Sequence, residues 1–525
     1  MEDKQIAKEK TNSVIKSAIY FATGTMISRV LGLTRDAVLF ATYDKTVLDA
    51  FNAAIRLPNL FRRVFGEGAL SACFIPLYVE YRKKGDIKSL TQLTVGIWTL
   101  LLIILIPLTV LIVGTMDHLV SVWVGGEGFA SVPGKLELTI AMTKIMFPFL
   151  LLVSMYAFFM AVLNAHKQFL LSALAPSFYN LTLILVNVYC YMTHQFSGII
   201  LAWTVIAAGF LQFAVLVPPY LKLNLGYKFA WSHLRSEPVM RTLRAFAPTV
   251  VGLGIVQIMG LINVNFASRL AEGSVSYIAA ADRLLELPLS LIAVSLGTVL
   301  LPSLSEKTGD QRALNQSLAR TLKVVIFLCV PAAVGLWMLS PLVVSLLYQR
   351  GRFTLHDTLA VAPVVQIYCF TLISASLARI MSQAFYAHKN TLQPAFASLT
   401  GLIVHVFLAP YLMQFYGIYG LVASTSTAAF LNIAYLFINY RWRFGHFHFP
   451  ELMFFFARCA TAALAIVAAC WMVNHYLPTE HFIQRLLAVI VAMGLSMTGY
   501  FGLSLVLRLE EAQEILLRFR KKLRV

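Results

Sequence analysis

The sequence predicts an all-α, polytopic membrane protein of about fourteen transmembrane helices, and three observations carry that expectation. Apolar runs long enough to cross a hydrocarbon core of about 30 Å, for which about 20 helical residues suffice, recur along the whole chain rather than at one end. Hydrophobic residues fill 59% of the 525 positions and charged residues only 13%, too few to keep so apolar a surface in water. Basic residues gather in the short segments between the runs, where topology selection places them. No separate soluble domain is left over.

Taken in order, the first six spans fall near residues 14–42, 48–80, 90–114, 138–164, 169–193 and 197–221. Six more fall near 238–270, 276–303, 317–348, 357–387, 391–414 and 417–440, and a last pair near 452–476 and 483–508. The lysines before the first run are followed by no small-residue cleavage site, and Arg29 and Arg35 stand inside it, so it is expected to be a retained helix and not a signal peptide. An even number of crossings puts both termini on one side. Lys4, Lys8, Lys10, Arg82, Lys83, Lys84, Lys88, Lys222, Lys228, Arg235, Lys307, Arg312, Arg441 and Arg443 lie in alternate connections, which are therefore expected in the cytoplasm with both termini. The opposite connections carry Asp44, Asp49, Asp117, Glu127, Glu137 and Glu480, with Arg350 and Arg352 as an exception.

The formal charge of +18 raises nucleic acid as a partner, but its placement between apolar runs argues for membrane orientation instead. The tail residues Arg518, Arg520, Lys521, Lys522 and Arg524 suit anionic headgroups of the membrane lipids. Cys73, Cys190, Cys329, Cys369, Cys459 and Cys470 fall singly in or beside apolar runs, without disulfide or zinc spacing, and read as packing residues.

The chain also resembles itself. Ala53-Ala54-Ile55-Arg56-Leu57 recurs as Ala280-Ala281-Asp282-Arg283-Leu284, 227 positions on. Leu31-Gly32-Leu33 matches Met259-Gly260-Leu261, Pro76 matches Pro302, and Ala165-His166-Lys167 matches Ala387-His388-Lys389. Two six-helix lobes are expected, residues 1–225 and 226–445, with a pair of helices and a basic tail in 446–525. Because six is even, the lobes insert in the same direction and are related by a pseudo-two-fold axis along the membrane normal, with a cavity between them and alternating access by rocking.

Ionisable side chains inside apolar helices each cost about 2.5–3.5 kcal/mol on insertion scales and so usually face an aqueous interior. Here they are numerous and mostly positive: Arg29, Arg35, Asp36, Arg56, Arg62, Arg63 and Glu67 in the first two spans, Asp282, Arg283 and Glu286 in the eighth, Lys144 in the fourth and Arg379 in the tenth. Arg29 and Arg35 lie about 240° apart around an ideal helix, so one cavity receives both only if the helix bends, as Gly24 and Gly32 permit, or the cavity is wide. Arg63 with Glu67 and Arg283 with Glu286 are spaced to pair on one helix face. Two readings stand side by side: the pairs merely neutralise one another for insertion, or the surplus guanidinium groups receive an anion. Arginine suits phosphate because its planar fork donates two parallel hydrogen bonds and keeps its proton when buried. Snorkelling to the interface is the alternative for Arg62 and Arg63.

Other signals are weaker. His166 and His388 sit beside lysines at cytoplasmic ends and read as solvated, whereas His405 reads as a packed polar residue. Gly128 to Lys135 superficially resembles a phosphate loop, but its spacing is wrong and Leu136 stands where Ser or Thr is required. His446 and His448 lack a third ligand, so no metal site is expected.

Three blocks together resemble one family. Ser28-Arg29-Val30-Leu31-Gly32-Leu33-Thr34-Arg35-Asp36-Ala37, Leu57-Pro58-Asn59-Leu60-Phe61-Arg62-Arg63-Val64-Phe65-Gly66-Glu67-Gly68-Ala69, and Gly273 to Ser276 running on through Ala281-Asp282-Arg283-Leu284-Leu285-Glu286-Leu287-Pro288 to Ser305 are similar to signatures of the MurJ/MviN lipid II flippases. The resemblance implies the fold of the multidrug/oligosaccharidyl-lipid/polysaccharide exporter superfamily, with the last two helices forming a groove for the lipid tail. It implies substrate-binding arginines at Arg29, Arg35, Arg62 and Arg283, a basic position at Arg56, and cavity or gating acids at Asp36, Asp49 and Glu286. Glu67 and Asp282 join these acids as ion-pair candidates. It further implies lipid II as substrate, a cell-wall synthesis complex as partner, the bacterial inner membrane as location, no enzyme activity and no cofactor, with transport driven by membrane potential or an ion gradient. A sodium site described for some members has no match, because no Asp or Glu occurs from Asn390 to Arg441 and the seventh-helix position is Asn263.

Rival functions are a flippase of another polyprenyl-diphosphate oligosaccharide and a multidrug exporter of the same superfamily. Cationic drugs would call for a carboxylate-lined cavity. A membrane glycosyltransferase would need a catalytic carboxylate on a sizeable outer loop, and the outer loops here are short. A scaffold would have no use for buried arginines.

Overall fold

The structure, a computed structural model, describes residues 24, 26–62, 69–166, 168–223, 229–297, 300, 304, 306, 309–445 and 449–523. Among them every regular element is helical. The chain divides into two compact units, residues 1–276 and 277–525.

Unit 1 begins with α1 (26–42). It continues through α2 (Lys45–Ala54), α3 (Arg56–Phe61), α4 (Ala69–Lys84), α5 (Ile87–Gly114), α6 (Met116–Val124), α7 (Glu127–Ala130) and α8 (Lys135–Met146). Then follow α9 (Phe149–Ala165), α10 (Phe169–Thr193), α11 (Gly198–Ala214), α12 (Val217–Leu221) and α13 (Glu237–Ala267). The helix α14 (Ser274–Leu289) starts in unit 1 and continues into unit 2.

Several predicted crossings are broken for local reasons. The crossing expected over 138–164 is α8 plus α9, interrupted at Phe147–Pro148, where proline has no N–H to give the helix. The one expected over 48–80 holds α2, α3 and α4, with a turn at Ile55 between the first two. Asp44 starts α2 by accepting the Val47 N–H at 2.9 Å. The core of unit 1 is aromatic: Phe74, Tyr78, Phe158, Phe159 and Tyr220 are buried together, with the Phe159 and Tyr220 rings stacked at 3.9 Å.

Unit 2 follows α14 with a π-helical turn at Ser290–Val294, two residues after Pro288. It then runs through α15 (Gln311–Tyr348), α16 (Leu355–Ala387), α17 (Leu392–Phe444), α18 (Phe449–Tyr476), α19 (Phe482–Val506) and α20 (Glu510–Leu523). The long α17 is two helices folded back on each other: Gly417 has φ 54° and ψ −128°, a conformation that L residues with a side chain rarely adopt, the Tyr435 hydroxyl beyond it donates to Gln393 Oε1 before it at 3.0 Å, and the break falls where the eleventh span was expected to give way to the twelfth. Leu314, Leu318, Leu322, Val325 and Cys329 form the buried stripe of α15 at helical spacing. The Tyr500 hydroxyl donates to Phe327 O at 2.9 Å and ties α19 to it.

Nine helices among the described residues are long and apolar enough to cross a membrane, counting Lys135–Ala165 and Leu392–Phe444 once each. The helices that carry Arg29, Arg35, Arg56 and Arg283, α1, α3 and α14, are not among them, because the described part of each is shorter than the 18 residues that such a window needs. All six cysteines are buried, as packing residues are. Arg350, the exception to the charge bias, donates through Nη2 to the last carbonyls of α15, Leu346 O at 2.8 Å and Leu347 O at 2.9 Å, and so caps the helix.

Candidate substrate-binding site

In unit 1 the candidate arginines stand on α1, on α3 and at the C-cap of α3. Arg35 Nε and Nη2 both donate to Asp36 Oδ1, at 2.9 and 2.5 Å. Its Nη1 donates to Asn180 Oδ1 on α10 at 3.0 Å. Asn180 in turn donates through Nδ2 to Ser28 O at 3.0 Å, so it bridges the turn before Arg29 to the guanidinium six residues later. The side chain of Arg35 is only 13% exposed, and a charge so covered needs its carboxylate. Arg29 is half-buried on the same helix. Arg56 lies along α13: a Cβ added at Gly260 would sit 3.8 Å from its Cζ. Arg62 Nε donates to Asn59 Oδ1 at 3.2 Å. Arg63 and Glu67 lie outside the described residues.

In unit 2, Arg283 and Glu286 pair across one turn of α14, Nη1 to Oε2 at 3.1 Å, with side chains 44% and 52% exposed. Asp282 beside them is half-buried. The guanidinium groups expected as a surplus are thus in part matched to acids, with one difference. Arg35 is held in a covered bidentate grip, whereas Arg283 makes an exposed contact of the kind worth about 0–1 kcal/mol.

Asp49 belongs to a third arrangement, one turn into α2 and fully buried. Its Oδ2 accepts from Lys135 Nζ at 2.8 Å and from the Gly273 N–H at 2.7 Å, and its Oδ1 accepts from Ser276 N at 2.8 Å and Ser276 Oγ at 2.7 Å. The carboxylate therefore satisfies the first N–H groups of α14, whose dipole favours an anion there, and neutralises a lysine whose Nζ also lies over the Phe129 ring at 4.3 Å. Lys135 is the partner of Asp49 that the sequence reading missed. It ended a false phosphate loop, and the signal that could have found it is a lysine opening an apolar span on the acidic side.

Other candidates resolve plainly. Lys144 Nζ is bound to both oxygens of Asp117, at 2.8 and 2.7 Å. His405 is fully buried with Nδ1 2.9 Å from Ser424 Oγ, a packed polar residue as expected. His166 and His388, expected in solvent, are half-buried instead. His166 shares a 2.8 Å hydrogen bond with the Tyr78 hydroxyl, and His388 stacks on Phe444 at 3.9 Å. Burial, and for His166 also the Arg82 charge, holds both imidazoles below their ordinary range. His446 and His448 lie outside the described residues.

A family model described as lipid II flippase MurJ matches residues 38–492. The probable lipid II flippase MurJ of Bdellovibrio bacteriovorus is 36% identical over 514 residues, which are 97% of this chain and 97% of that protein. The lipid II flippase MurJ of Burkholderia cenocepacia is 32% identical over 448 residues, covering 84% and 86% of the two chains. Among solved structures, a lipid II flippase MurJ in an inward closed conformation superposes with a TM-score of 0.76 at 26% identity, over 93% of this chain and 99% of that one. An inward-facing multidrug resistance MATE family transporter of the MOP superfamily shares the fold alone, with a TM-score of 0.69 at 13% identity over 81% and 98% of the chains.

Proposed function

The chain belongs to the lipid II flippase MurJ family, and from that premise we propose that it carries lipid II from the inner to the outer leaflet of the cytoplasmic membrane by alternating access. Both termini and the basic connections face the cytoplasm in this reading. Arg29, Arg35, Arg56, Arg62 and Arg283 serve as counter-charges for the diphosphate, and Asp36, Asp282 and Glu286 hold or release them; Asp49 serves as a gating acid through Lys135 and the start of α14, and Glu67 belongs to the ion-pair reading.

The observation that carries this is the Arg283–Glu286 pair. Its two side chains are about half exposed, and a charged pair open to hydrocarbon would be strongly disfavoured, so the surface it faces is aqueous. An exposed carboxylate contact made through one guanidinium nitrogen is readily exchanged for a phosphate that accepts two parallel hydrogen bonds. Arg35, gripped by Asp36 and Asn180, supplies a fixed positive centre instead.

Energy enters without a nucleotide. In a cell with a negative interior, each unit of negative charge moved outward is favoured by about 2.3 kcal/mol per 100 mV. The absence of any acid from Asn390 to Arg441, with Asn263 in α13, favours the potential over sodium as the driving force.

The test is reconstitution into vesicles with a fluorescent lipid-linked disaccharide-peptide. Transport is expected to rise with an imposed inside-negative potential and to be abolished by Arg283→Ala at unchanged expression. A fully active Arg283→Ala protein overturns the anion-exchange mechanism.

A further inference from the structure

A cleft of about 500 Å³ opens on unit 1 where α6 and α13 end, lined by Ser121, Gly125, Gly126, Glu127, Asn265 and Arg269. None of these residues takes part in the arginine and carboxylate arrangements described above. On the proposed topology the cleft faces outward, since it lies at the far end of α13, whose first residues follow a basic connection read as cytoplasmic, and beside α6, which lies with Asp117 and Glu127 in a connection read as outer.

Its two charges are opposite and unspent. Among the described residues, neither Glu127 nor Arg269 has an oppositely charged side chain within ion-pair distance, although both line the same cleft. Arg269 is nonetheless oriented: its Nη2 donates to Asn265 Oδ1 at 2.9 Å and its Cζ lies 5.4 Å from the centre of the Phe266 ring. Asn265 is itself fixed by donating to Trp123 O at 2.6 Å, and the Trp123 indole donates to Leu261 O at 3.0 Å.

The floor of the cleft is built without side chains. A Cβ at Gly126 would fall 2.7 Å from Arg269 Cγ and 2.9 Å from its backbone N, and one at Gly128 would fall 1.7 Å from Leu270 O. The segment 125–128 therefore packs backbone to backbone against 268–270, and only glycine allows it. A rigid floor with a preset guanidinium and a separate carboxylate matches a ligand that carries a carboxylate and an ammonium group at different points.

We infer that this cleft binds the peptide portion of the substrate headgroup at the outer face, with Arg269 receiving a peptide carboxylate and Glu127 a peptide ammonium. The inference rests on the transport reading above and deepens it, because it separates recognition of the peptide from recognition of the diphosphate.

The experiment is calorimetric titration of the purified full-length protein with the water-soluble disaccharide-peptide, free of diphosphate and lipid, and with the disaccharide alone. Saturable binding of the disaccharide-peptide is expected, weakened at least about tenfold by Arg269→Ala and by Glu127→Gln, with the disaccharide alone not binding. Arg269→Lys, which keeps the charge and loses the fork, is expected to fall between wild type and Arg269→Ala, while unchanged thermal unfolding shows that the variants are folded. Equal binding by wild type and Arg269→Ala, or equal binding of the disaccharide with and without peptide, overturns the inference. Vesicle transport by the wild-type protein is measured in parallel. Transport without peptide binding overturns the cleft assignment alone, whereas peptide binding without transport overturns the transport reading and leaves the cleft in place.

Discussion

The two units solve one structural problem with different chemistry. In unit 1 the buried Asp49 near the start of α2 meets Lys135 at the start of α8. In unit 2 the buried Asp357 in the first turn of α16 accepts from the Tyr277 hydroxyl of α14 at 2.5 Å. The positions correspond in the internal repeat: Ser276, beside Tyr277, lies 227 positions after Asp49, and Asp357 lies 222 positions after Lys135, the interval that also separates Ala165 from Ala387. The carboxylate has changed sides, and its partner has changed from a cation to a neutral phenol. Unit 1 thus closes its contact with a full ion pair, which is sensitive to loss of either member. Unit 2 closes the same contact with a carboxylate otherwise supported locally, by Thr354 N at 2.7 Å and Thr354 Oγ1 at 2.8 Å.

The largest effect should follow from removing the cation. Lys135→Met keeps the packing stem but leaves Asp49 charged and buried, and is expected to destabilise unit 1 by about 3–5 kcal/mol, read from thermal unfolding of the purified protein. Adding Asp49→Asn to that variant should recover part of the loss, because the remaining side chain is neutral. Tyr277→Phe removes a single hydrogen bond to a charged acceptor and should cost less, about 1.5–3 kcal/mol in the same assay. Equal losses from Lys135→Met and Tyr277→Phe would show that the two contacts are energetically interchangeable and break the comparison.

What the sequence makes legible follows from the range over which each signal acts. The crossings are local patterns of apolar runs, and they survive in α5, α10, α11 and α15 to α19 nearly as read. Pro148 and Gly417 mark two breaks whose residue type is visible in the chain, although the first was absorbed into a single predicted span. The partner of Asp49 is 86 positions away and that of Arg35 is 145 positions away. No periodicity reports such pairs, so Lys135 looked like the end of a loop and Asn180 like one polar residue in an apolar helix. His166 and His388 were misplaced for a similar reason, since neighbouring lysines indicate solvent while the rings turn inward onto Tyr78 and Phe444.

The comparison extends to the arginines. Glu286→Gln removes an exposed partner and should change stability by no more than about 1 kcal/mol. Its consequence is expected in transport, where the Glu286 carboxylate no longer competes for Arg283 and the substrate concentration for half-maximal rate should fall. A large loss of thermal stability would instead place the Arg283–Glu286 pair with the structural contacts of Asp49 and Asp357.

The smallest expected effect distinguishes the two histidines. Burial depresses both imidazoles in the folded protein, so the neutral form is favoured there, and below the ordinary value of about 6.5 the unfolded chain takes up protons that the fold resists. Their contribution to stability is therefore complete above that pH and shrinks as the pH falls toward the depressed folded values. His166→Phe and His388→Phe should each flatten the fall in melting temperature between pH 8 and pH 5.5. They should differ at pH 8. His388 offers its neighbours a ring face stacked on Phe444, which phenylalanine can reproduce, and its Nε2 is buried with no hydrogen-bond partner among the described residues, so His388→Phe should be neutral or stabilising there. His166 shares a hydrogen bond with Tyr78, which phenylalanine cannot make, and His166→Phe should lower the melting temperature at pH 8 even as it removes the acid sensitivity. Identical behaviour of the two variants at pH 8 would mean that the Tyr78 contact adds nothing to the burial that both rings share.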